Sequence, residues 1–116
     1  MTIQECYKAM GGDYDDAISR LRKEESLKKF ARLFLKDTSF AQLTESLKSG
    51  DYETAFRMAH TLKGTTSNLS FQKLAASSTE LTELLRGGVK PGAEAKYEQV
   101  AADYAVTVEA IGKLDD

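Results

Sequence analysis

The sequence predicts an all-α chain: an up-down-up-down four-helix bundle with short additional N-terminal helices. Three observations carry this expectation. Apolar residues recur at intervals of three and four along nearly the whole length, the spacing that gathers one face of a helix. No run alternates apolar and polar residues for long enough to make a strand. The breaks between periodic stretches are short and carry glycine, at Gly11-Gly12, Gly50 and Gly87-Gly88, and short connections make consecutive helices antiparallel. At 116 residues the chain fits one domain, residues 1–116, with residues 1–23 as a helical lid and residues 24–114 as the bundle. The length is too short for a core plus an ATP-binding domain, which argues against a kinase acting alone.

Thr2-x-x-Glu5 matches a capping box, and Ile3, Cys6, Tyr7 and Met10 follow at helical spacing until Gly11-Gly12. Asp13 suits the cap of a second helix, lined by Tyr14, Ala17, Ile18 and Leu21, with Arg20, Arg22 and Lys23 near the end that favours cations. Asp13, Asp15 and Asp16 lack the loop spacing of a calcium site. From Glu24 to about Asp37, Leu27, Phe30, Ala31, Leu33, Phe34 and Leu35 make a stripe so wide that the helix should be well buried. A Ser39-x-x-Gln42 capping box restarts a helix bearing Phe40, Leu43 and Leu47 up to Gly50. Residues 24 to 49 fit either one bent helix or two, with any break at Asp37-Thr38-Ser39.

Asp51 is a good N-cap for the next helix, in which Ala55, Ala59, Leu62, Thr66 and Leu69 form a small, apolar stripe that should face the core. Ser70 is expected to begin the following helix, with Phe71, Leu74, Ser78, Leu81 and Leu85 on one face. Glu80, Thr82, Glu83 and Arg86 read as its solvated face rather than as a carboxylate dyad. Pro91 suits a first helical position, and Tyr97, Val100, Ala101, Tyr104, Val108 and Ile111 then repeat to the end.

The chemistry concentrates around the only histidine, His60, which falls off the core stripe of its helix and so should be exposed. Lys63 and Gly64 share its face. A lysine three residues on stands roughly 5–6 Å away at its Cβ and can swing a positive charge over an anion on the ring. A glycine inside a helix costs about 1 kcal/mol relative to alanine, so Gly64 needs a reason, and the absence of a Cβ offers clearance for another protein's active site. A neutral imidazole is a nucleophile near neutral pH. Together these residues suggest capture of a phosphoryl group. His60 lies mid-helix, too far from the helix N-terminus for the dipole to hold the anion. Ser67, seven residues on and about 10.5 Å along the axis, is badly placed for a Ser-His acyl-transfer pair.

His60-Thr61-Leu62-Lys63-Gly64, followed by Asn68-Leu69 and Leu74, resembles the signature of histidine-containing phosphotransfer (HPt) domains, the carrier modules of phosphorelays. The resemblance covers roughly residues 24 to 114 in helix order and is most specific over residues 59 to 74. It departs from the family pattern at Ser70, where a glycine is usual. The resemblance implies that His60 is the phosphorylated residue, through Nε2, that Lys63 stabilises the phosphoryl group, and that Gly64 gives clearance. It also implies a carrier without an ATP site or cofactor of its own, Mg²⁺ belonging to the partner. Receiver domains of response regulators and a sensor histidine kinase are the partners implied. Phe56, Ser67 and Phe71 complete the expected docking patch, although Phe56 also fits an edge of the core.

Composition narrows the rest. A net charge of −2 with no block of lysine and arginine argues against nucleic acid. One cysteine, Cys6, excludes an internal disulfide, fits a half-buried apolar position and provides no zinc site with His60. Residues 1–6 show neither a basic start nor an apolar run, so no signal peptide or membrane span is expected, and the expected setting is a cytoplasmic monomer. The alternative is a helical interaction module of the same fold that is never phosphorylated. A phosphoacceptor domain serving a chemotaxis-type kinase in trans shares the same histidine chemistry.

Overall fold

The computed structural model describes residues 1–115; Asp116, the last residue of the expected domain, lies outside them. The described residues form seven helices and no strand: α1 (Ile3–Met10), α2 (Tyr14–Leu21), α3 (Glu24–Phe34), α4 (Ser39–Ser49), α5 (Tyr52–Asn68), α6 (Gln72–Leu85) and α7 (Ala93–Gly112). The chain is an all-α helical bundle. Helix α5 packs between α4 and α6, and α6 packs on α7. The ring closes through aromatics: Phe40 of α4 stacks on Tyr104 of α7 with centroids 4.1 Å apart, and on Tyr97 at 6.0 Å.

Local chemistry sets the helix ends. Thr2 and Glu5 form the capping box of α1, with the Glu5 amide donating to Thr2 Oγ1 at 3.1 Å and the Thr2 amide to Glu5 Oε1 at 2.8 Å. Asp13 Oδ1 accepts from the Asp16 amide at 3.0 Å and starts α2. Gly50 ends α4 at φ 77°, a conformation in which a side chain is strained, and Asp51 then starts α5 by accepting from the Thr54 amide at 3.2 Å.

Residues 24–49 are two helices, broken at residues 35–38. Three start signals differ from the sequence expectation. Ser39 caps nothing. Its own amide donates upstream to Asp37 Oδ1 at 2.7 Å, while the Gln42 side chain donates to Thr38 Oγ1 at 2.8 Å, and Thr38 takes the cap position. Ser70 does not open α6. It sits at φ 56°, left-handed, and α6 begins at Gln72. Pro91 precedes α7, which begins at Ala93 behind Gly92 at φ 94°.

The core draws on every helix, including Leu27, Phe34, Leu43, Leu62, Leu74, Leu81 and Val100. Ile3, Cys6, Tyr7 and Met10 of α1 join it, and Cys6 is fully rather than half buried. Helix α3 is less buried than its wide stripe predicted. Leu27, Ala31 and Phe34 are inside, but Phe30, Leu33 and Leu35 are 41%, 46% and 41% exposed. The reason is partnership: α3 packs only lightly on α1, α2 and α7, which does not cover a stripe that broad.

Candidate functional site

Helix α5 buries Ala55, Ala59, Leu62 and Thr66, the small stripe that the spacing predicted. The Thr66 hydroxyl, which would otherwise be an unpaired buried donor, donates back to the Leu62 carbonyl at 2.8 Å. Burying that face turns the opposite one outward, and His60, at the middle of α5, is exposed. Among the described residues neither of its ring nitrogens has a hydrogen-bond partner, so both are open to solvent chemistry.

Lys63 is half-buried and Gly64 exposed. A Cβ built at Gly64 would meet nothing within 4 Å. The chain's own packing therefore gives no reason for glycine there. Phe56, half-buried, lies one turn before His60, with ring centroids 6.1 Å apart and planes tilted by 39°. Ser67 is exposed on the same side.

Phe71 is a correction. Expected in the docking patch, it is 1% exposed and wedged between Tyr7, at 5.5 Å between ring centroids, and Phe34, at 5.3 Å. The left-handed turn at Ser70 swings the chain inward just before it, and a buried phenyl ring contributes about 1.5–3 kcal/mol. Thr82, read as solvated, is likewise buried, its hydroxyl donating to the Ser78 carbonyl at 2.7 Å.

Sequence reasoning missed one neighbour of His60 and one groove further along α5. Arg86 is the neighbour: its guanidinium carbon lies 5.0 Å from the centroid of the Phe56 ring, and it lines with His60, Phe56 and Thr61 an open cavity of about 410 Å³. The Arg86 side chain also holds the Glu83 carboxyl below its usual range, with a smaller contribution from the charge of Lys63. The signal was available, because an antiparallel hairpin turning at residues 69–71 pairs positions equally far on either side of the turn. The groove is apolar, of about 380 Å³, and lies between α3 and the end of α5, lined by Phe30, Leu33, Thr65 and Asn68 among others.

The C-terminal end of α5 is held from α1 and α2. Arg20 donates to the carbonyls of Ser67 and Asn68 at 3.2 and 2.7 Å, the Tyr7 hydroxyl to that of Leu69 at 2.6 Å, and the Asp13 amide to that of Ser70 at 2.9 Å. A helix end leaves its last carbonyls short of intrahelical partners, and these bonds supply them. The Ser70 hydroxyl, donating to Asp16 Oδ2 at 2.6 Å and accepting from Arg20, ties the left-handed residue to α2.

Among the described residues no three histidine, cysteine or acidic side chains gather as a metal site, and no helix is long and apolar enough to cross a membrane.

An exposed histidine at the centre of a bundle helix, flanked by a lysine and an unfilled glycine, is an arrangement that a histidine carrier would use. The family model of the Hpt domain matches residues 30–110, and the chain belongs to that family. No curated protein and no solved structure matches the chain. Hpt domains serve histidine phosphotransfer in phosphorelays, as carriers that meet response-regulator receivers and kinases.

Proposed function

We propose that His60 accepts a phosphoryl group from the aspartyl phosphate of one receiver domain and passes it to the aspartate of a second. The observation that carries this reading is the empty space at Gly64. A mid-helix glycine costs about 1 kcal/mol that nothing inside the chain requires, one turn from an exposed nucleophile. A partner's catalytic cleft closing on His60 would use that space.

In the forward step the lone pair of neutral Nε2 attacks phosphorus. The P–O bond to the receiver breaks, and its electron pair leaves with the aspartate carboxylate. The proton on Nδ1 stays on the ring or passes to solvent. In the onward step the second aspartate attacks, the P–N bond breaks and Nε2 recovers its pair. Lys63 offers its ammonium to the phosphoryl oxygens, while Mg²⁺ and most of the charge stabilisation belong to the receiver. In this reading the domain needs no cofactor of its own and acts as a monomer in the cytoplasm.

The docking patch is centred on His60 and Gly64, with Phe56 and Ser67. Phe30 and Leu33 supply the apolar contact once assigned to Phe71. The test is to mix the protein with radiolabelled phospho-receivers encoded near it. Wild type should take up an acid-labile, base-stable label, and His60→Gln none. A receiver that binds the chain yet never labels it would favour the non-phosphorylated interaction module instead.

A further inference from the structure

Arg86 stands where α6 ends, its backbone already extended at φ −69° and ψ 119°. The Lys90 ammonium ties down that end by donating to the carbonyls of Glu83, at 3.2 Å, and of Arg86. From this fixed base the guanidinium does two things. Its Nε and Nη2 donate to Glu83 Oε2 at 3.1 and 2.9 Å, and its central carbon lies over the Phe56 ring that flanks His60, 5.0 Å from the centroid.

The ion pair with Glu83 is easily exchanged. Both side chains are more than half exposed, 54% and 58%, and pairs of that kind contribute at most about 1 kcal/mol. A phosphoryl group on His60 would bring a multiply charged oxyanion to the cavity that Arg86 already lines. Guanidinium binds phosphate oxygens in the same forked geometry as a carboxylate, and the higher charge wins the competition.

We propose that Glu83 and Arg86 form an ion pair that responds to the state of His60. With His60 unmodified, Glu83 holds Arg86 against Phe56. Once His60 is phosphorylated, Arg86 turns on that ring to bind the phosphoryl oxygens beside Lys63, and Glu83 is released to water as a carboxylate. The exchange makes and breaks only hydrogen bonds. It rests on the reading of His60 as the phosphoacceptor. Hydrolysis of phosphohistidine proceeds from the ring protonated at its free nitrogen, and a bound cation disfavours that form, so Arg86 lengthens the life of the phosphohistidine and Glu83 shortens it.

The full chain is phosphorylated chemically with phosphoramidate, its single histidine fixing which residue carries the label, and the Nε2 product is the one followed. At one fixed pH, Arg86→Gln should shorten the phosphohistidine half-life about 3-fold, the size of an exposed charge contact, and Glu83→Gln should lengthen it. Arg86→Lys, which keeps the charge, should stay nearer wild type than Arg86→Gln. In wild type the Arg86 Nε–Hε resonance should move on phosphorylation. Equal half-lives with an unmoved resonance in a protein that labels well would overturn the exchange and leave the phosphoacceptor reading intact. Wild type that labels no better than His60→Gln would end both.

Discussion

The buried hydroxyl of Tyr7 in α1 donates at 2.6 Å to the carbonyl of Leu69, at the end of the helix that carries His60. The phenolic proton is held firmly there, since burial pushes the Tyr7 hydroxyl well above its ordinary pKa. Tyr7→Phe keeps the ring packing against Phe71 and leaves that carbonyl without its donor. The expected loss is about 1–3 kcal/mol of folding stability, read as a lower urea midpoint with an unchanged slope. Transfer at a temperature where the variant is folded should stay near wild type, because the hydroxyl positions the helix end and not the imidazole.

The same junction shows how far the sequence could be read. The core stripe of α5, the caps at Thr2, Asp13 and Asp51 and the exposure of His60 all follow from helical period and cap chemistry, which act within a few residues. The bond from Tyr7 to Leu69 and the clamp of Arg20 and Asp16 on Ser70 join residues about fifty or more positions apart, and no local pattern announces them. Serine is a poor choice for a left-handed residue, and only its tertiary bonds explain it. Phe71 was misplaced for the same reason: the turn that buries it is set by Ser70. Arg86 looked like a solvated partner of Glu83, and so it is, but helix pairing also brings it beside Phe56.

Gly64 lends itself to a pair of opposite outcomes. Because a Cβ there meets nothing, Gly64→Ala should raise folding stability by up to about 1 kcal/mol, seen as an increase of a few degrees in Tm. Gly64→Arg should also fold, yet it fills the space a receiver would use and should abolish transfer from phospho-receiver to His60. Destabilisation by alanine would mean that the chain itself needs the glycine, and normal transfer by the arginine variant would remove the clearance role.

Cys6 has no exposed surface, and burial pushes its thiol from an ordinary value near 9 up to about 11. The unfolded chain therefore loses this proton first as pH rises. Between about pH 9 and pH 11 the unfolded state binds fewer protons than the folded one, so stability falls with pH there, while below that window the contribution is complete. Urea midpoints across this range should decline less steeply in Cys6→Ala than in wild type. Tyr7 adds its own decline above its ordinary value near 10, so the variant flattens only the lower part of the curve. Parallel curves for the two proteins would show that the thiol is not held protonated by the fold.

Phe30 and Leu33 are each more than two-fifths exposed on α3, and with Thr65 and Asn68 they line a groove beside the last turns of α5. Apolar side chains that lie outside the core contribute little to folding, so the double substitution Phe30→Ser and Leu33→Ser should cost no more than about 1 kcal/mol, close to the range of ordinary surface changes. Binding is where the cost should appear. Relay contacts are small, and a few apolar anchors dominate such interfaces, so losing two of them should weaken receiver affinity about 10-fold or more, equivalent to about 1.4 kcal/mol. Chemical labelling of His60 by phosphoramidate involves no protein partner and should proceed at the wild-type rate in the same variant. Calorimetric titration with a receiver, set beside that labelling rate, separates docking from chemistry: equal affinity in the two proteins would place the receiver on another face of the bundle.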